Sequence, residues 1–335
     1  MVGGQWSVVH RPSSVVRRPS SVVRGLSSVV NIEIPPYWEQ LNLEGLSGVL
    51  MVIGAPDTGK STFARYLYTR LCALHERVAF IDGDIGQASL GPPTMMTLAL
   101  RQGGETGFPP GGPRVRVFVG ANSPRGHMLP TLVGVHKLAR RAQELGATAT
   151  VLDTTGLVAP EQGGPALKLA KVDLLEPGVV FAIQRGSELE PILGPLRRSA
   201  RTRVVELPPA SAVQPRDMMT RRAYRARLFA RYFANAYPLE ISWARLAVFP
   251  APCFIRYQLV AMEDRRGFAL AMGIVLEVDM ARKTLLLLTP AHSLNEVDAL
   301  RVGDVCVNPE TGEDFRAGNE SDRHPLDAGR LMNDR

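Results

Sequence analysis

Gly54-Ala55-Pro56-Asp57-Thr58-Gly59-Lys60-Ser61 decides the reading of this chain. These residues fit GxxxxGK[ST] without a mismatch, a spacing that lets backbone N–H groups turn inward around phosphate oxygens. Just before them, residues 48–53 form a short apolar run that reads as a buried strand. Just after them, Phe63, Leu67, Leu71 and Leu74 fall at helical spacing, so a helix is expected over 61–74. A helix starting there adds the positive end of its dipole to the loop. Lys60 is then expected to reach the β- and γ-phosphates of a nucleotide, and the Ser61 hydroxyl to ligate Mg²⁺.

Outward from the loop, strands and helices alternate. Strands are expected at 78–81, 115–119, 148–152, 179–183 and 203–207. Helices are expected at 129–145, 165–170, 189–198 and 216–234, with 102–113 a Gly/Pro-rich loop. The pattern predicts a mostly parallel sheet with helices on both faces. After Pro238 strand-like runs at 254–260, 269–278, 283–290 and 305–308 are separated by turn residues, which predicts a small β domain. At the other end Ser-Ser-Val-Val recurs at 13–16, 20–23 and 27–30, with Pro12 and Pro19 breaking any helix. Residues 1–30 read as a disordered low-complexity tail and 317–335 as a flexible one.

The chain carries a formal charge of +7. Ten arginines lie between Arg197 and Arg231, against only Glu206 and Asp217, a distribution suited to a polyanion or to a solvated helix face. No apolar run approaches the ~18 residues that cross a bilayer, and no signal-peptide pattern opens the chain. Cys72, Cys253 and Cys306 form no CxxC pair or disulfide framework, so a cytoplasmic setting is expected.

Two carboxylates compete for the metal-side role beside a phosphate loop: Asp82, closing one strand, and Asp153, closing another. Asp84, two residues past Asp82, is a second carboxylate suited to accept a proton from an attacking hydroxyl, or a turn former beside Gly83. Asp153-Thr154-Thr155-Gly156 matches the DxxG of GTPases superficially. The next strand runs into Gln184-Arg185-Gly186 rather than a guanine reader, so guanine specificity lacks support.

Together these features resemble the polynucleotide 5′-hydroxyl kinases of tRNA splicing, mRNA 3′-end formation and pre-rRNA processing, with their prokaryotic relatives. The likeness spans about residues 48–310. It rests on the phosphate loop, Asp82-Gly83-Asp84-Ile85-Gly86-Gln87 with Gly91-Pro92, and Gly120-Ala121-Asn122-Ser123-Pro124. It rests further on Thr154-Thr155-Gly156-Leu157, and on Arg216 and Arg221 ahead of Tyr232-Phe233. The resemblance implies a P-loop kinase core over 31–239, with a basic lid at about 211–234 and a β domain at 240–316. By it, Asp84 is the general base, and Lys60, Arg216 and Arg221 clamp the phosphates. Gly54, Ala55, Pro56, Asp57, Thr58, Gly59, Lys60, Ser61 and Thr62 hold ATP; Ser61, Asp82 and Gln87 organise Mg²⁺. Ser123, Thr154, Thr155 and Gly156 contact the acceptor, a single-stranded or end-exposed nucleic acid, RNA favoured. The family's clasp usually carries Trp where Leu157 stands, which bears on how the terminal nucleotide is gripped. An ATP-binding scaffold without turnover and a P-loop ATPase or small-substrate kinase remain the competing readings. His127 reads as an ordinary loop histidine.

Overall fold

The computed structural model describes residues 34–211 and 213–316. The tails assigned to 1–30 and 317–335 lie outside the described residues. The chain divides into two compact units, Met1–Leu41 and Asn42–Arg335. The first holds a single helical turn, α1 (Pro36–Glu39), started by proline.

In the second unit one sheet carries β1 (Gly48–Gly54), β2 (Val78–Gly83), β3 (Met95–Leu100), β4 (Arg114–Phe118), β5 (Ala149–Thr154), β6 (Val179–Ile183) and β7 (Arg203–Leu207). Their order is β4-β3-β2-β5-β1-β6-β7. The five strands from β2 to β7 are parallel, whereas β3 pairs antiparallel with both β2 and β4. The mostly parallel sheet is as expected, but β3 was not. Its sequence, Met-Met-Thr-Leu-Ala-Leu, has no alternation because both of its faces are buried.

Helices cover both faces. On one side α2 (Lys60–Leu71) sets the Phe63 ring 5.2 Å from that of Phe181 and Tyr68 edge-on to Phe80. On the other, α3 (Met128–Glu144), α4 (Gly164–Leu175) and α5 (Glu190–Ser199) pack Val135, Leu138, Val172 and Ile192 onto Met51, Ile53, Ile81 and Leu98. The basic helix α6 (Met218–Phe233), capped by Asp217 accepting from the Thr220 N–H, buries only Phe229 and Phe233. That stripe joins Met95 and Phe118 of the first sheet and Leu259, Met272 and Val305 of the second in one core.

The second sheet holds β8 (Tyr237–Ser242), β9 (Ala247–Phe249), β10 (Gln258–Glu263), β11 (Ala269–Asp279), β12 (Thr284–Thr289), β13 (Ala299–Val307) and β14 (Asp314–Arg316). Its order is β14-β13-β10-β11-β12-β8, with β9 alongside β13. Pro238 sits in the edge strand β8, where a missing ladder N–H is tolerated. No helix among the described residues is long and apolar enough to cross a membrane.

Candidate active site

Because β1, β2, β5 and β6 are parallel, and β4 runs with them after two antiparallel steps, their carboxyl ends open on one edge of the sheet. The loops that follow these strands carry the residues singled out in the sequence, where open α/β sheets bind ligands.

The phosphate loop leaves β1 at Gly54 and enters α2 at Lys60. Lys60 is buried and curls back, its Nζ donating to the Ala55 carbonyl at 3.0 Å; the Thr58 hydroxyl donates to the same oxygen at 2.9 Å. Asp57 gathers three arginines. Its Oδ2 accepts from Arg221 Nη2 at 2.5 Å and from the Arg216 backbone N–H at 3.1 Å, while Arg185 donates to its carbonyl. The Arg216 guanidinium lies 6.0 Å from the centre of the Tyr224 ring, and the Tyr224 hydroxyl donates to the Ala88 carbonyl at 2.9 Å.

The register of β2 against β5 sets Asp82 beside Asp153. Both are buried, but their surroundings differ. Asp82 is saturated: Oδ2 accepts from the Ser89 N–H (2.5 Å), the Ser89 hydroxyl (3.1 Å) and the Leu90 N–H (2.8 Å), and Oδ1 from the Asp84 N–H (3.3 Å). Burial raises its pKa against the pull of those N–H groups. Asp153 keeps an Oδ1 without a hydrogen-bond partner. Burial pushes its carboxyl up to about 7, opposed by the Lys60 ammonium and the Ser61 hydroxyl and reinforced by Asp82 and Asp84. Asp84 is half-buried, and its Oδ1 accepts from the Gly86 and Gln87 N–H groups, each at 3.0 Å. Gln87 donates to the Gly86 carbonyl at 3.0 Å and leaves its Oε1 unpartnered.

Thr154-Thr155-Gly156 follows β5 and lies against the phosphate loop: a Cβ at Gly156 would meet the Pro56 nitrogen at 2.9 Å. The Thr154 hydroxyl donates to the Val52 carbonyl at 2.7 Å, and Thr155 Oγ1 is buried without a partner. Beneath them sit two fully buried lysines one turn apart on α4. Lys168 Nζ donates to Thr154 Oγ1 at 2.7 Å and to the Thr155 carbonyl at 2.6 Å. Lys171 Nζ has no partner. Burial drives the pKa of Lys168 well below the usual lysine range and that of Lys171 down to about 8.

Ser123 stands in the loop between β4 and α3, its hydroxyl accepting from the Arg125 N–H at 3.3 Å. His127 ends that loop, its Nε2 2.9 Å from Asp304 Oδ2. Asn122 Nδ2 donates to Asp314 Oδ2 at 2.7 Å.

The edge thus gathers the phosphate loop, the 82–87 turn, the 154–156 segment, and Arg216 and Arg221. The sequence reading did not single out Lys168, Lys171, Asp304 or Asp314, and it named Asn122 only as part of the 120–124 stretch, with no role of its own. The lysines left a faint signal, since they fall on the same helical face as Leu167 and Val172. The others join segments far apart in the chain and left none. Among the described residues no group of three or more His, Cys, Asp or Glu side chains stands ready to hold a metal alone. A magnesium ion shared with phosphate oxygens needs only one or two protein ligands, and the free Asp153 Oδ1 near the Ser61 hydroxyl fits that requirement.

The chain is similar to several known proteins. The polyribonucleotide 5′-hydroxyl-kinase of Pyrococcus abyssi is 24% identical over 323 residues, covering 79% of this chain and 89% of the relative. Its counterpart in Methanocaldococcus jannaschii is also 24% identical, over 79% and 88%. That of Thermococcus kodakarensis reaches 30% over 64% of this chain and 60% of its own length. Among solved structures, the wild-type Clp1p–Pcf11p (454–563) complex matches with a TM-score of 0.60 at 13% identity, over 78% of this chain and 75% of that one. The model of the mRNA cleavage and polyadenylation factor CLP1 P-loop matches residues 54–235. That match takes in more than half of the residues, and the chain belongs to the CLP1 P-loop family.

Proposed function

We infer that this protein transfers the γ-phosphoryl group of ATP to the 5′-hydroxyl end of a polynucleotide, with RNA as the favoured acceptor. The observation that carries the reading is the set of unpartnered buried atoms on the elements meeting at the site. Gln87 Oε1, Asp153 Oδ1, Thr155 Oγ1 and Lys171 Nζ are all left without hydrogen bonds. Buried polar groups are nearly always satisfied. Other exceptions, such as Thr97 Oγ1 and Arg116 Nε, are scattered, whereas Asp153 Oδ1 and Thr155 Oγ1 belong to the segment that packs on the phosphate loop, which supports a polar ligand there. The names of the archaeal relatives supply the substrate class. The reading takes 31–239 as the catalytic domain, with its lid at about 211–234, and 240–316 as the β domain.

In this reading the loop amides of 54–62 and Lys60 hold the triphosphate. Lys60 has to leave the Ala55 carbonyl to do so, and Arg221 and Arg216 have to exchange Asp57 for phosphate oxygens. Thr154, Thr155, Gly156 and Ser123 line the acceptor's side. Asp84, held by two N–H groups on one oxygen, uses the other to accept the 5′-hydroxyl proton as the new O–P bond forms and the bond between the β,γ-bridging oxygen and the γ-phosphorus breaks. Bound Mg²⁺ supplies charge neutralisation on the transferring phosphates. Ser61 and Asp153 would hold it, with Gln87 in its water shell, while Asp82, already saturated, fixes the turn that carries Asp84. Positioned cations suit this chemistry, because phosphoryl transfer needs orientation and charge stabilisation rather than a covalent intermediate.

The test is direct. The purified chain with Mg²⁺ and γ-labelled ATP should label a 5′-hydroxyl oligonucleotide, RNA better than matched DNA. Lys60→Ala or Asp84→Asn should abolish labelling. Labelling that survives both substitutions removes this site from consideration, and tight ATP binding without transfer to any end favours the scaffold reading.

A further inference from the structure

The acceptor loop and the lid helix are both held from behind by the second sheet. Asp314, first residue of β14, has its side chain only 5% exposed and splits its carboxylate between them. Oδ1 accepts from Arg225 Nε of α6 at 2.9 Å, and Oδ2 accepts from Asn122 Nδ2 of the acceptor loop at 2.7 Å. The turn before β14 is seated on the same helix: Gly312 has φ +74°, and a Cβ there would lie 2.4 Å from the Ala226 carbonyl oxygen. A second brace comes from β13. The Asp304 N–H donates to the Gly120 carbonyl at 2.8 Å, and the Asp304 carboxylate meets His127. Asn122 in turn presses on the turn that carries Asp84. A Cβ at Gly86 would lie 2.5 Å from the Asn122 carbonyl, and the Gly86 N–H is one of the two that hold Asp84 Oδ1.

The geometry points to Asp314 as a positioning residue for the transfer reaction: it sets the acceptor loop, and through it the Asp84 turn, in fixed relation to the lid helix. This rests on the kinase reading above. It assigns the second sheet a part in the acceptor site rather than a separate task. The bridge is nearly buried, so truncation of one member leaves a charged or amide partner unsatisfied, an effect large enough to move a loop.

The experiment uses the full chain with Asp314→Asn, Asn122→Ala and the double variant. Kinase kinetics, fluorescent ADP binding and melting temperature are measured for each. Each single variant should raise KM for the 5′-hydroxyl oligonucleotide ~10-fold, with ADP affinity within about twofold of the parent. The double variant should be no worse than the worse single, because both break one bridge. Additive losses, unchanged KM in a folded variant, or ADP affinity falling in step with KM overturns the assignment. Should Asp314→Asn fail to fold, Asn122→Ala carries the same KM test alone. Should the parent transfer phosphate to no 5′-hydroxyl end, the kinase reading fails on its own. Hydrogen exchange then still decides the bridge: Asp314→Asn should deprotect 120–127 and 218–233 together, and protection retained in both segments refutes it.

Discussion

Asp153→Asn should make this protein more stable and less active at once. Asp153 is buried, and its carboxyl is pushed from its ordinary 3.8 up to about 7. The folded state therefore binds the proton more tightly than the unfolded chain does, so stability falls as pH rises from about 4 through 7, and the penalty is fully present above that. About three pKa units at 1.36 kcal/mol each give an upper bound of about 4 kcal/mol. The Lys60 attraction is already contained in that net shift, so the gain at pH 8 is ~3–4 kcal/mol, or roughly 4–8 °C in Tm for a chain of this size. The assay is calorimetry of parent and variant across pH 4–8 without nucleotide, paired with labelling of a 5′-hydroxyl oligonucleotide at pH 8. The variant's gain should be largest at pH 8 and shrink steadily toward pH 4, while labelling falls by at least ~100-fold. A variant that melts at or below the parent at pH 8, or whose gain ignores pH, refutes the argument that the fold keeps this carboxylate at a cost.

Lys171→Met should likewise raise Tm at pH 7 by the equivalent of ~2–3 kcal/mol, because a lysine held at about 8 rather than 10.5 resists folding in its charged form. For this group stability rises with pH between those values, so the variant's gain should vanish by about pH 10.5; a gain that grows with pH contradicts it. Asp57→Ala should tighten nucleotide binding ~3–5-fold in titration calorimetry, since Asp57 competes with phosphate for Arg221 through a part-exposed ion pair. Weaker binding would show instead that Asp57 orders the loop. Arg221→Ala should lower kcat by ~10²-fold or more with folding intact, and a change confined to KM would move this residue from the transfer step to ground-state binding.

Much of this was legible because the phosphate loop is local. Glycine spacing, an apolar strand before it and a helical stripe after it are all carried by consecutive residues, and so is the turn from Asp82 to Gln87. The strands β2, β5 and β6 announced themselves as buried apolar runs, and the half-exposed β7 by its Val204-Val205 pair. β3 did not, since Met, Leu and Ala favour helices and a strand buried on both faces shows no period of two. β8, β9 and β14 are short or at an edge; pairing with distant strands defines β8 and β9, and β14 is three residues folded back on β13. Both Asp82 and Asp153 close a strand, so strand ends alone do not separate them, and it was the resemblance that put Asp82 on the metal. What separates them is the 84–90 loop folding back to fill one carboxylate and leave the other unfilled.

The same contrast explains why the site combines three carboxylates with three lysines. Asp82, Asp84 and Asp153 cluster at the ends of β2 and β5, and burial, helped by the neighbouring carboxylates, drives protons onto Asp82 and Asp153. Lys60, Lys168 and Lys171 bring amine nitrogens to that region from α2 and α4, yet each is committed elsewhere or unpaired: Lys60 to Ala55, Lys168 to Thr154 and Thr155, Lys171 to nothing. A set of buried charges built for stability would pair off directly. Here no lysine makes a hydrogen bond to the carboxylates, which leaves Asp153 Oδ1 open to a ligand and keeps the field around it mixed. A nucleotide with its metal brings both signs of charge and fits such a field better than either sign alone.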